Sequence, residues 1–400
     1  MDFFEFLNAC VTPYHTVSFI KNILKQNGIS FYERNGAIIA YKIPYGINES
    51  SAFKIALAHT DFPTLKLSPN PEKRDAGILK LHTEIYGSPI LSTWFDRDLS
   101  FAGIIAYNEN NEIKTKLLRS DKLFRIPNLA IHLNRNANQE GQKINPQTDM
   151  DILCTVLEDF SIEKYLASEI PENAQLLDFE IQFFDAQKAN FGGLNNEWIY
   201  SGRLDNLSSS HAILDAFLKA EQPKQDFLIA AFFNHEEIGS KTRDGAGGNF
   251  LEFSLKCITE SISVSDAHLY RLLENSFALS VDMAHAIHPN FLSKHESNHA
   301  PVLGNGIVLK TNANKRYASD LLSNACLKKL CIENKIPFQT FITRNDMPCG
   351  STVGPEISAR LGIPTVDIGE PMLSMHSIRE MTACKDHTSL KSLLNAFYKD

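Results

Sequence analysis

Residues Phe227 to Phe233 form an unbroken apolar run that ends in Asn234-His235-Glu236-Glu237-Ile238-Gly239-Ser240. The run reads as a buried strand, and it delivers two adjacent carboxylates and a glycine just past its C-terminal end. Neighbouring side chains on an extended segment point to opposite sides, so Glu236 and Glu237 are expected to do different jobs. One suits holding a metal and the other suits moving protons. Alone, the pair reads more readily as a solvated acidic loop, and the rest of the chain has to decide.

A 400-residue chain has room for two domains and a large core. Its 43% hydrophobic and 22% charged residues are ordinary for a globular protein. A formal charge of −8 without a dense basic run excludes an obvious nucleic-acid partner. No uncharged stretch approaches the roughly 18 residues a membrane span needs. The start, Met1-Asp2-Phe3-Phe4-Glu5-Phe6, lacks the basic region of a signal peptide. The seven scattered cysteines include no Cys-x-x-Cys. A cytoplasmic protein with reduced thiols is therefore expected.

Val17, Ile20 and Leu24 recur at helical steps until Asn27-Gly28 stops them. Strands are predicted at Ala37 to Tyr41 and at Phe53 to Ala58, the second running into His59-Thr60-Asp61. From about residue 70 to 187 the texture is β-rich. Leu79, Leu81, Thr83 and Ile85 alternate with other residues, and a hairpin is predicted around Asn108-Glu109-Asn110-Asn111-Glu112. Asn134 to Ala174 reads as a polar, partly helical excursion within this stretch. From about 188 the chain alternates strand and helix. Helices are predicted at Asp205 to Ala220, Ala318 to Lys329, Gly354 to Leu361 and Ser389 to Tyr398. Strands are predicted at Phe277 to Val281, Phe338 to Thr343 and Thr365 to Ile368. The fold class is thus α/β, with a β-rich insertion at 71–187 between catalytic segments 1–70 and 188–400.

Five candidate metal ligands, His59, Asp205, Glu237, Asp282 and His376, lie near element ends or in loops. Ligands of open α/β sheets collect beyond the carboxyl ends of strands. Two histidines with three carboxylates suit zinc, manganese or cobalt, and a bridging carboxylate would leave room for a shared water between two ions. Asp61 would accept from the far ring nitrogen of His59 and orient it. Each residue also has a plain reading by itself: Asp205 as a helix cap, Asp282 as the start of a turn, His376 as a loop histidine. Cys349 as a nucleophile is a weaker alternative, since nothing marks its thiolate as stabilised. Gly245-Ala246-Gly247-Gly248 lacks a Walker lysine and reads as a backbone turn near the site.

Ordered motifs now extend over nearly the whole chain. They are Ala58-His59-Thr60-Asp61, Trp94-Phe95-Asp96-Arg97-Asp98-Leu99, Arg203-Leu204-Asp205-Asn206-Leu207, Asn234 to Ser240 and Asp282-Met283-Ala284-His285-Ala286-Ile287-His288-Pro289. Arg344 to Thr352, Asp367 to Pro371 and Leu373 to Glu380 complete the set. With them the chain resembles the aspartyl aminopeptidase family of zinc metallopeptidases. The family commonly has Asp where Asn234 stands, Ser where Phe62 stands and Gln where Asp244 stands. None of these departures removes a ligand.

The resemblance implies a mixed-sheet, zinc exopeptidase-like catalytic domain with an inserted dimerisation domain. It implies two zinc ions per subunit bridged by Asp205, one completed by His59 and Asp282 and the other by Glu237 and His376. Glu236 would be the general base. His132 would reach a neighbour's active site within a dodecamer of dimers. Lys310 and Tyr317 match positions near the substrate, and the lysine position is the one linked to an acidic N-terminal residue. The expected activity is removal of N-terminal residues from peptides. A carboxypeptidase or deacylase, and a catalytically silent assembly protein, are the alternatives.

Overall fold

The computed structural model describes residues 1–399. The chain divides into two compact units, one of Met1–Phe62, Ala189–Met375 and the segment from Glu380 on, the other of Pro63–Lys188 with His376–Arg379.

The larger unit is built on an eight-stranded mixed sheet. Its strands run in the order Ser30–Arg34, Ala37–Lys42, Phe227–Phe233, Phe53–His59, Phe277–Val281, Thr365–Gly369, Ile307–Lys310, Phe338–Phe341. Phe53–His59 pairs in parallel with Phe227–Phe233 and with Phe277–Val281. All seven residues of Phe227–Phe233 are buried, as the unbroken apolar run requires. Burying each large side chain of that run contributes about 1.5–3 kcal/mol. Alternate residues face different cores. Leu228, Ala230 and Phe232 pack with the first helices and with Leu204–Lys219, whereas Phe227, Ile229 and Phe233 pack with Phe250–Glu260 and Asp266–Asn275. A sheet covered on both faces by helices is the α/β architecture expected. A second sheet of five short strands lies in the same unit, in the order Asn190–Gly192, Trp198–Ser201, Glu380–Ala383, Pro371–Leu373, Ala284–His285.

Local chemistry sets most helix bounds. Thr12 caps Pro13–Gln26 by accepting the His15 N–H, and Val17, Ile20 and Leu24 are buried as their spacing predicts. The helix expected from Ala318 starts instead at Leu321, because Asp320 and Ser323 form a reciprocal capping box. The closing helix begins at Cys384 rather than Ser389, with the polar residues Asp386 and His387 buried in its first turn. Leu204–Lys219 buries every residue from Leu204 to Phe217, more than one face.

The smaller unit holds a six-stranded antiparallel sheet, in the order Glu112–Arg119, Leu99–Glu109, Gln175–Asp185, Thr64–Asp75, Ile78–Tyr86, Ile152–Thr155. The predicted hairpin turns on Asn110 and Asn111, both left-handed at φ 55° and 63°, a geometry asparagine tolerates. Trp94, Phe101, Ile105 and Phe183 centre its core. The unit opens at Pro63 rather than 71, since Thr64–Asp75 is one continuous strand paired with Ile78–Tyr86. Among the described residues no helix is long and apolar enough to cross a membrane.

Candidate active site

In the larger unit, three parallel strands end beside one another, and each carries a candidate residue at or just beyond its C-terminal end. His59 is the last residue of Phe53–His59, Glu236 follows Phe227–Phe233, and Asp282 follows Phe277–Val281. Asp205 joins them from the start of Leu204–Lys219, which is non-helical there at φ −80°, ψ 106°. His59 Nε2 lies 3.5 Å from Asp205 Oδ1 and 3.5 Å from Asp282 Oδ1, and 4.0 Å from Glu236 Oε2. Ligand atoms of His59, Asp205 and Glu237 all fall within 4.8 Å of one another.

The opposite ring nitrogen fixes the tautomer. His59 Nδ1 is 3.0 Å from the Asp61 carbonyl, which can only accept, so Nδ1 carries a proton and Nε2 is the nitrogen left to face a metal. The Asp61 carboxylate, expected to take that role itself, lies slightly farther off at 3.3 Å. Its two oxygens also accept the backbone N–H of Glu236 and of Glu237, each at 3.1 Å. Asp61 thus holds the acidic turn as well as lying beside the histidine.

The approach to that turn has a structural account. His235 is left-handed at φ 63°, and the Asn234 side-chain oxygen accepts its N–H at 2.9 Å. His235 Nδ1 meets Thr242 Oγ1 at 2.8 Å. The glycine run folds back beneath it. A Cβ on Gly245 would lie 2.3 Å from the Ser240 carbonyl oxygen, so only glycine fits there.

The site is electrostatically loaded. Burial, with the nearby Asp282, Asp61 and Asp205, pushes the Glu236 carboxyl up to about 8. Burial, then Asp205 and Glu236, pushes Glu237 well above the carboxylate range. Burial by itself would lower His59, but Asp205, Asp282 and Asp61 outweigh it and raise the imidazole well above its ordinary value. Carboxylates crowded this closely are stable as anions only beside positive charge. The donor set also fits a zinc ion. With bonds of about 2.0–2.1 Å, two ligands on one tetrahedral ion sit about 3.4 Å apart, close to the spacing His59 Nε2 keeps from both aspartates.

Lys310 ends the strand Ile307–Lys310 and is buried. Its Nζ donates to the Met283 carbonyl at 2.8 Å and lies 3.5 Å from Asp282 Oδ2. Tyr317 places its ring 5.5 Å from that ammonium, and burial pushes its hydroxyl strongly up. His376 and His132 belong to the smaller unit. His376 is left-handed at φ 66°; its Nδ1 is 3.1 Å from the Ser88 carbonyl and its own carbonyl accepts the Ile90 N–H at 2.9 Å. His132 sits in the exposed turn Ile131–Leu133.

Residues the motifs contained without a stated role also serve the site. The buried Glu380 accepts the Asp205 backbone N–H at 3.1 Å. Asn206 donates its side-chain amide to the Val281 carbonyl at 2.9 Å, tying the Asp205 turn to the strand that carries Asp282. Their only signal in the sequence was adjacency: Asn206 follows Asp205, and Glu380 closes the motif that contains His376.

A histidine and carboxylate cluster at the ends of parallel strands in a helix-covered mixed sheet defines a metal-dependent hydrolase of the zinc-exopeptidase type. The family model described as Aminopeptidase I zinc metalloprotease (M18) matches residues 6–398, and the chain belongs to that family. A probable M18 family aminopeptidase 2 of Pseudomonas aeruginosa (strain UCBPP-PA14) is 39% identical over 420 residues, covering 98% of this chain and 96% of the relative. Its counterpart in Clostridium acetobutylicum is 39% identical over 421 residues, covering 98% and 97%. Among solved structures, Ape4 in its complex with Nbr1 superposes with a TM-score of 0.93 at 35% identity, covering 99% of this chain and 84% of that one. The S. cerevisiae mApe1 dodecamer superposes at 0.86 with 27% identity, covering 99% and 95%. The chain is therefore a metal-dependent aminopeptidase, a hydrolase of the zinc metallopeptidases.

Proposed function

We propose that this aminopeptidase works through two zinc ions and takes acidic N-terminal residues in preference to others. The observation that carries the two-ion reading is the placement of His59 Nε2 at 3.5 Å from both Asp205 and Asp282, with a fourth ligand group, Glu237, within 4.8 Å of His59 and Asp205. Charge supports it. Asp61, Asp205, Glu236, Glu237 and Asp282 bring five carboxylates into one buried region. Two divalent cations and the Lys310 ammonium balance that number.

In this reading His59 and Asp282 would hold one ion and Glu237 the other, with Asp205 shared between them. Family resemblance gives His376 a ligand role as well; donation from its Nδ1 to the Ser88 carbonyl would leave the lone pair on Nε2. Zinc there would polarise the scissile carbonyl and acidify a water. Glu236 accepts the water proton and passes it to the leaving amine, which its ionised carboxylate can do beside the positive charge of the ions. Asp61 keeps Glu236 in place through its backbone N–H. The Lys310 ammonium has three donors. One meets the Met283 carbonyl and one faces Asp282, and the third is assigned to the acidic side chain of the substrate.

The smaller unit, Pro63–Lys188 with His376–Arg379, is proposed as the dimerisation domain. Its turn around His132 exposes Leu129, Ile131 and Leu133, apolar surface that suits burial against another copy. Assembly of dimers into a dodecamer, with His132 reaching a neighbour's site, follows the family resemblance. A cytoplasmic location is proposed from seven free cysteines.

Zinc content by mass spectrometry, measured with hydrolysis of Asp-, Leu- and N-acetylated peptides, tests this reading. Two zinc ions per chain, faster release of Asp and no cleavage of blocked peptides are expected. Cleavage of blocked peptides would replace the reading with an endo- or carboxypeptidase; one ion per chain would overturn the bridged site.

A further inference from the structure

Asp367 lies at the centre of Thr365–Gly369 and is fully buried. Its carboxylate is gripped from two directions. Oδ2 accepts the backbone N–H of Ala318 at 2.6 Å, and Oδ1 accepts the hydroxyl of Thr352 at 2.5 Å. Its own N–H donates to Ser319 Oγ at 2.9 Å. Thr352 is the cap of the helix Val353–Leu361. That helix closes down on the carboxylate so tightly that a Cβ on Gly354 would lie 2.7 and 2.8 Å from its two oxygens. Ala318 and Ser319 directly follow Tyr317, whose ring lies beside the Lys310 ammonium.

We propose that Asp367 is a positioning residue for peptide binding: by holding Ala318 and Thr352 at once, it fixes Tyr317 against Lys310. The inference rests on the reading that Tyr317 and Lys310 face the peptide. A purely structural role explains the arrangement less well. A buried carboxylate costs desolvation, and an apolar side chain of the same size would usually stabilise the strand as well or better. A carboxylate does what an apolar side chain cannot: it presents two acceptor oxygens, so that donors from two separate segments meet on one residue. The backbone around it, Gly354 included, is shaped to the anion.

Asp367→Asn keeps the shape but leaves a single acceptor oxygen, so one of the two donors faces an amide NH₂. The zinc-loaded enzyme carrying Asp367→Asn should show KM for Asp-peptides raised about tenfold, the scale of one lost buried charged hydrogen bond, with kcat and zinc content little changed. Thr352→Val, which removes the hydroxyl donor to Asp367 together with its cap on the Gly354 N–H, should shift KM in the same direction by less. If Asp367→Asn fails to fold, Thr352→Val decides. Tyr317→Ala is measured in parallel. Should Tyr317→Ala leave KM unchanged, Tyr317 does not face the peptide, and the inference falls with that reading. Should Tyr317→Ala raise KM while Asp367→Asn and Thr352→Val do not, positioning by Asp367 alone is overturned. A loss of zinc in Asp367→Asn would assign the residue to the fold instead, and a loss of kcat at constant KM would overturn a role in peptide binding.

Discussion

The backbone N–H of Asp205 donates to the carboxylate of Glu380, 3.1 Å away and 175 residues later in the chain. The contact fixes the main chain of the proposed bridging ligand and leaves its side chain to the metals. Residues that orient ligands in this way commonly change metal affinity about 10–100-fold when removed. Glu380→Ala should therefore release zinc to a competing chelator about tenfold more readily than the parent, while Glu380→Gln, which retains an acceptor oxygen, should hold it nearly as well. Equal zinc retention in all three proteins would dismiss the contact as incidental.

Glu236 is the residue on which chemistry and metal binding should separate. Glu236→Gln is expected to keep its full zinc complement and to lose about 10²–10⁴-fold in kcat, the usual contribution of a positioned general base. Mass spectrometry and steady-state kinetics on one preparation check both halves. Full turnover in this variant would remove Glu236 from the mechanism.

Lys310 sits between Asp282, a proposed ligand, and the ring of Tyr317, so its loss should be felt on both sides. Lys310→Met should lower the ratio of kcat/KM for Asp- over Leu-peptides at least about tenfold, as expected for a lost charge-assisted contact. An unchanged ratio accompanied by lost zinc would show a counter-charge for Asp282 and nothing more.

Stability should carry a pH signature from a group outside the site. Asp386 is fully buried and accepts the N–H groups of Gly304 and Gly306 at 2.7 and 2.8 Å. Burial raises its carboxyl from 3.8 to about 7 in the folded chain. The folded state therefore binds this proton more tightly than the unfolded one. The resulting stability is fully present below about pH 4 and is lost as pH rises through about 7, a change on the order of 4 kcal/mol. Chemical denaturation of the parent and of Asp386→Asn from pH 4 to 8 should show the variant gaining relative to the parent up to about pH 7 and levelling off beyond it. A constant difference across that range would mean the carboxyl ionises normally.

The strands were legible where burial leaves a mark in composition. Phe227–Phe233 and Phe277–Val281 are apolar throughout or nearly so, and their ends placed Glu236, Glu237 and Asp282 at one sheet edge. The hairpin on Asn110-Asn111 was equally plain, because its turn demands left-handed residues. Phe250–Glu260 and Asp266–Asn275 were not foreseen; each is a short amphipathic helix between loops rich in Gly, Ser and Asn. The metal ligands could be proposed because His and Asp at strand ends form a recognisable chemical set. Glu380, Asn206 and Asp367 could not, since each acts by gripping a backbone or hydroxyl group far away in sequence, and such a donor or acceptor looks like any other polar residue until the chain is folded.

The pairing of Phe53–His59 with Phe227–Phe233 matches Phe53 to Phe227 across the whole intervening excursion. During synthesis, then, His59 leaves the ribosome long before the strand that will flank it exists, whereas Pro63–Lys188 is already contiguous and able to gather its own core. A nascent chain halted just short of Phe227 would carry His59 and Asp205 on an unbuilt edge, with neither Glu237 nor Asp282 to share an ion. With the proposed ligand set, zinc capture would thus be a late event in the life of the polypeptide, and zinc scarcity would act on nearly finished chains rather than on their first steps.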